Sequence, residues 1–171
     1  MPETAPHVLH ATALLDQLKQ CGVTHIVWLP DTETSSMHQA ITQDGSISLV
    51  PVTREGETMA IAAGLIAGGA RPVVLIQSTG FFESGDSIRG VCLDIGLPLL
   101  MLLGYRGFEG AGGRTGDSAA VFLEPILNAW GIGYQIVADD EDLPRVTEEY
   151  KKAWDNMEPR AILVGREYGE A

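Results

Sequence analysis

Apolar positions along this chain alternate between two periods. Val8, Ala11, Leu14, Leu15 and Leu18 recur at helical spacing, and Gly22 marks the stop. Residues 23–29 then read as a strand closed by Pro30, after which Asp31, Thr32 and Thr34 offer N-cap side chains for a helix reaching about residue 42. Asp44-Gly45 signals a turn, residues 47–52 a second strand, and residues 55–67 a helix rich in small residues. Residues 72–76 form an almost wholly apolar strand, as expected where both faces of a sheet are covered. A turn at Ser78-Thr79-Gly80 is expected to lead into a helix over residues 84–95, followed by a strand over residues 97–103. Residues 118–130 and 143–154 read as helices, and residues 134–137 and 161–164 as strands.

This alternation predicts an α/β fold, a single doubly wound domain over residues 1–171 with a six-stranded parallel sheet flanked by helices. Ligands in such sheets gather at the carboxyl ends of the strands. The segments to watch are therefore residues 30–34, 53–57, 77–80 and 104–116. The last holds six glycines in thirteen residues, as either a mobile loop or a lid.

Charge narrows the function classes. With 11 basic against 23 acidic residues and a net charge of −12, the chain lacks the basic footprint that nucleic acid or an anionic membrane requires. The most apolar stretch, residues 97–103, is far shorter than a spanning helix and contains Pro98. Residues 1–10 show no basic start followed by an apolar run, so a cytoplasmic protein is expected. Cys21 and Cys92 have no paired spacing and read as reduced thiols.

Common fingerprints are absent. There is no G-x-x-x-x-G-K-[ST], no G-x-G-x-x-G spacing between Gly110 and Gly116, and no G-x-S-x-G elbow around Ser78 and Gly80. The histidines, His7, His10, His25 and His38, form no metal-ligand spacing, and His7 with His10 reads as a surface pair. Residues 139–158 carry eight acids against three bases and read as a solvated face. The informative stretch is residues 51–64, where Arg54, Glu55 and Glu57 sit between an apolar strand and an Ala/Gly-rich helix. Acids there favour the helix dipole, and the small residues permit close approach of another helix.

The run Val52-Thr-Arg-Glu-Gly-Glu-Thr-Met-Ala-Ile-Ala-Ala-Gly64 resembles the glutamate motif of the pyrimidine-binding domain of thiamine-diphosphate enzymes. Gln77-Ser-Thr-Gly80 and Pro98-Leu-Leu-Met-Leu-Leu-Gly-Tyr-Arg-Gly107 extend the resemblance toward sulfopyruvate decarboxylase alpha subunits and the related half of phosphonopyruvate decarboxylases. It covers roughly residues 8–165. Ser78 and Thr79 depart from the Asn-Ser usual there, the 30–34 loop lacks the expected lysine, and no adjacent histidine pair exists. These departures bear on the substrate rather than on the cofactor.

The resemblance implies that Glu55 is catalytic, hydrogen-bonding the ring nitrogen N1′ of the aminopyrimidine and driving its 4′-amino group toward the imine that deprotonates thiazolium C2. An apolar setting that raises the carboxyl pKa suits this proton sharing. It further implies cofactor contacts from Thr53 and Pro30, and substrate contacts from Asp31, Thr32, Gln77, Ser78, Thr79 and Arg106. Glu57 is expected to be a helix-start or interface acid. The reaction implied is decarboxylation of a 2-oxo acid, with a carboligase or C–C lyase subunit and a non-catalytic flavodoxin-like regulatory subunit as alternatives.

The Gly-Asp-Gly…Asn-Asn stretch that anchors the diphosphate through Mg²⁺ in this class is missing, and the only asparagines are Asn128 and Asn156. The cofactors implied are thus thiamine diphosphate and a Mg²⁺ ion ligated by a partner beta subunit, none of the metal ligands coming from this chain. An α₂β₂ or higher hetero-oligomer is the expected assembly.

Overall fold

The computed structural model describes residues 8–32, 34–108 and 117–165. Helix α1 (Ala11–Gln20) leads to strand β1 (His25–Trp28), α2 (Ser35–Asp44) to β2 (Ser48–Pro51), and α3 (Glu57–Ala67) to β3 (Pro72–Gln77). Two short helices, α4 (Ser78–Glu83) and α5 (Gly85–Ser87), and a π-helical turn over Ile88–Leu93 connect to β4 (Leu100–Gly104). Then come α6 (Ser118–Ala129), β5 (Gly133–Val137), α7 (Pro144–Asn156) and β6 (Arg160–Val164). All six strands run parallel in the order β2-β1-β3-β4-β6-β5.

Alternation of side chains across the pleat builds two cores. Ile26, Val73, Leu75, Leu100, Leu102 and Ile162 face one side, against Leu14 and Leu18 of α1, Met37 of α2 and Val146 of α7. Val27, Val74, Ile76, Met101, Leu103 and Leu163 face the other, against Met59 of α3, Phe81 of α4, and Leu123 and Leu127 of α6. Central strands covered on both faces are apolar throughout, which is why β3 and β4 read as continuous hydrophobic runs.

Several element bounds move for identifiable reasons. The turn expected at residues 78–80 is instead the first turn of α4, entered from an extended Gln77 and tied by the Ser84 hydroxyl donating to the Gly80 carbonyl at 2.8 Å. Pro98 has no N–H for a ladder, and Leu99 N–H turns back to the Leu97 carbonyl at 2.8 Å, so β4 begins only at Leu100. Helix α3 starts at Glu57, leaving Glu55 in the preceding turn. The His10 ring nitrogen bonds the Asp140 carboxylate at 2.7 Å, and the pairing expected with His7 lies outside the described residues. No helix among the described residues is long and apolar enough to cross a membrane.

Candidate functional site

Strand order locates the site before any side chain does. From β1 the chain steps to β2 on one side, then crosses back to β3 on the other. The carboxyl ends of β1 and β3 therefore flank a topological switch point, where successive connections diverge and leave a crevice. Trp28, the last residue of β1, is in register with Pro51 of β2 and Leu75 of β3. The segments after these strands, at residues 29–34, 52–56 and 78–80, thus meet at one edge.

Glu55 reaches into this crevice from the turn between β2 and α3. Its side chain lies against Gly80 in α4: a Cβ built on Gly80 would sit 2.6 Å from Glu55 Cγ and 3.0 Å from Oε1. Glycine is required there because the glutamate occupies the space a methyl group would take. The sequence-predicted Glu55 and Gln77–Gly80 segments are brought together in this way. The Glu55 carboxyl accepts no hydrogen bond from the described residues. Ser78 is wholly buried, and its hydroxyl also lacks a hydrogen-bond partner among them. Native proteins satisfy most buried polar groups, so the unmatched Ser78 hydroxyl, near a half-buried Glu55 carboxyl without a partner among the described residues, marks a place for a ligand.

Neighbouring acids are committed elsewhere. Glu57 opens α3, and its Oε2 accepts from the Thr53 backbone N–H and hydroxyl, both at 3.3 Å. This bears out a helix-start acid and ties down Thr53. Glu83 of α4 pairs with the Arg54 guanidinium, whose hydrogen bond holds its carboxyl below the usual range, and accepts the Gly56 N–H at 2.6 Å.

Pro30, Asp31 and Thr32 line an open cavity of about 390 Å³ beyond β1, together with Trp28, Ser35 and His38. Thr34 does not cap α2 through its own side chain. Instead Asp31 Oδ1 accepts the Thr34 N–H at 2.9 Å, and the Trp28 indole N–H donates to the Thr34 hydroxyl at 2.7 Å. The Trp28 and His38 rings stack with centroids 5.2 Å apart, a contact the sequence did not signal. Gln77 ends β3 half-buried in register with Gly104, and Thr79 follows half-buried in α4. Arg106 lies after β4 and is exposed, its Nε 3.3 Å from Asp117 Oδ2. Most of the glycine-rich loop, residues 109–116, lies outside the described residues.

Glu83 and Ser87 went unnoticed in the sequence. The Ser87 hydroxyl donates to the Gly56 carbonyl at 2.8 Å, so both backbone groups of Gly56 are held by side chains from α4 and α5. Gly80, Glu83 and Ser87 stand three and seven residues apart, a single helical face, and that spacing is the only available signal.

Residues 10–124 match the family described as thiamine pyrophosphate enzyme, N-terminal TPP binding domain. The chain is 26% identical over 158 residues to a sulfopyruvate decarboxylase of Methanosarcina acetivorans, covering 92% of this chain and 40% of that protein. It is 27% identical over 159 residues to the sulfopyruvate decarboxylase subunit alpha of Methanococcus maripaludis, covering 92% of this chain and 93% of that subunit. A phosphonopyruvate decarboxylase of Streptomyces hygroscopicus is 24% identical over 103 residues, 60% of this chain and 26% of that protein. The chain therefore spans less than half of two of these relatives and nearly all of the third.

Proposed function

Since this chain belongs to the thiamine pyrophosphate enzyme N-terminal TPP binding domains, we propose that it is the pyrimidine-side subunit of a 2-oxo acid decarboxylase of the sulfopyruvate/phosphonopyruvate kind. The observation that carries this reading is the Glu55 carboxyl, without a hydrogen bond among the described residues and seated on Gly80 at the switch point. A carboxyl so placed fits a ligand nitrogen that shares a proton with it. Glu55 would hold the pyrimidine through N1′, with Thr53 and Pro30 beside the ring.

When bound, the cofactor supplies an acidic thiazolium carbon and an acceptor for the electron pair released with carbon dioxide. The chain's own work is acid–base and positional. Glu55 keeps a proton available at N1′, at a distance from the reacting carbon, and a positioned group of this kind contributes about 10²–10⁴-fold. Glutamine there would hold the ring but could not exchange the proton. Ser78 and Thr79, at the first turn of α4, and Gln77 before them would donate to the substrate carboxylate, with Asp31 and Thr32 bounding its other side. Arg106 would bind the same carboxylate by exchanging its Asp117 partner for it, since a guanidinium pairs bidentately with carboxylates.

The diphosphate and Mg²⁺ are assigned to a partner subunit, in keeping with relatives named as subunit alpha and with the missing Gly-Asp-Gly…Asn-Asn stretch. Small residues at Ala60, Gly64 and Ala67 leave the outer face of α3 low and exposed, suited to close approach in an α₂β₂ or larger assembly. Calorimetric titration of thiamine diphosphate with Mg²⁺ into the chain, with and without its partner, tests this division. Binding only in the complex, with cofactor-dependent carbon dioxide release from a 2-oxo acid, is expected. Tight Mg²⁺-dependent binding to the lone chain would contradict the split, and a coupled hydroxyketone without free aldehyde would make it a carboligase.

A further inference from the structure

Glu55 cannot hold its place through its own side chain, which has no bond to the protein among the described residues. Its position is inherited from the backbone of the turn, and that backbone is gripped at Gly56. The Gly56 N–H donates to Glu83 Oε2 at 2.6 Å, and its carbonyl accepts the Ser87 hydroxyl at 2.8 Å. Glu83 Oε1 meanwhile takes the Arg54 Nε–H on the other side of Glu55. Both neighbours of the glutamate in the chain are thus tied to a single carboxylate. On the same helical face, three residues before Glu83, Gly80 opens the space that the Glu55 side chain fills.

From this arrangement we propose that Glu83 is a positioning residue, which sets the reach of the Glu55 carboxyl across the crevice by holding the Gly56 amide. The proposal rests on the reading of Glu55 given above. Of the two contacts, the amide bond matters more. Arg54 is 71% exposed, and an ion pair in that setting contributes little. An N–H to a carboxylate is charge-assisted and directional, so it fixes the peptide plane as well as its distance. Tilting that plane swings the Glu55 side chain, and an error of about 1 Å in a reacting group costs on the order of 10²-fold. The carbonyl of that plane, Glu55's own, accepts the Thr58 hydroxyl at 2.6 Å, while Ser87 holds the next peptide plane through the Gly56 carbonyl.

The test uses the chain assembled with its partner and three variants, Glu83→Ala, Glu83→Gln and Glu55→Gln. Three readouts are taken: hydrogen–deuterium exchange of the Gly56 amide without cofactor, exchange of the thiazolium C2 proton in the loaded complex, and KM for the 2-oxo acid. Glu83→Ala is expected to speed Gly56 exchange at least tenfold and to slow C2 exchange by about 10–10²-fold, leaving KM for the 2-oxo acid nearly unchanged. Glu83→Gln keeps an acceptor for the Gly56 N–H and should recover most of both. Wild-type C2 exchange in Glu83→Ala, with Glu55→Gln slowed, would overturn the positioning role and leave Glu55 in place. Wild-type exchange in Glu55→Gln would overturn the reading beneath it. If Glu83→Ala fails to assemble, a Glu83→Gln complex as defective as Glu55→Gln, with Gly56 still protected, would equally refute the proposal.

Discussion

Two glutamates in this fold are treated in opposite ways. Glu149 of α7 is wholly buried, and its carboxylate is saturated by Arg160 Nε at 2.6 Å, Arg160 Nη2 at 2.5 Å and Lys152 Nζ at 2.7 Å. It sits beside the amino ends of β5 and β6. The side-chain carboxyl of Glu55, at the carboxyl ends of β1 and β3, accepts nothing from the described residues. Each glutamate has a glycine that makes room for its arrangement. A Cβ on Gly133 would lie 1.8 Å from Arg160 Nη1, while one on Gly80 would lie 2.6 Å from Glu55 Cγ. The difference teaches where to look for function. Desolvated charge that is fully matched serves the fold, and a carboxyl left unmatched beside a built recess awaits something from outside.

The contrast can be broken most strongly at Glu55. Replacing it with glutamine should lower turnover by about 10²–10⁴-fold while the melting temperature of the assembled protein stays within a few degrees. Arg160→Met should do the reverse. It leaves the buried Glu149 charge underpaired, so a loss of about 3–5 kcal/mol is expected in urea denaturation, with turnover per folded molecule unchanged.

Gly80→Ala and Gly133→Ala sharpen the comparison, because the same methyl group is added at both ends of the sheet. At Gly80 it displaces Glu55 and should cost on the order of 10-fold in turnover with little change in stability. At Gly133 it meets the guanidinium of a saturated pair, so a stability loss of about 1–3 kcal/mol without a catalytic defect is expected.

The smallest effect concerns a buried thiol that belongs wholly to the core. Burial pushes Cys92 up to about 12 from an ordinary value near 9. A raised value in the folded state means that the unfolded chain ionises first. Stability is then fully present below about pH 9 and falls as pH rises toward 12, by at most about 1.4 kcal/mol per pH unit. Urea midpoints at pH 8, 9 and 10 should show this slope in the parent protein and a shallower one in Cys92→Ala.

Much of this was readable in the chain itself. Period and punctuation announce the six strands and the flanking helices, because doubly covered strands leave long apolar runs and tight connections need glycine or proline. The Glu55 motif stands out as charge between two apolar elements. What the chain could not reveal was long-range apposition. Glu83 touches Gly56 across 27 residues of sequence, and its helical face reads as ordinary polar surface until α4 is laid against the turn. The residue 78–80 segment looked like a turn because Ser, Thr and Gly favour turns locally. In the fold it is the first turn of α4, with Gly80 against the Glu55 side chain from another loop. The Trp28–His38 stack is hidden for the same reason: nothing in the spacing tells which face of α2 returns over β1.

The central claim is that the unmatched Glu55 carboxyl exists to share a proton with the cofactor's pyrimidine. Exchange of the thiazolium C2 proton, followed by quenched-flow NMR on the assembled and loaded complex, addresses that proton relay without the later steps of turnover. The account predicts that Glu55→Gln slows this exchange by about 10²–10⁴-fold, with the cofactor still bound. Exchange at the parent rate in a fully loaded Glu55→Gln complex would contradict it.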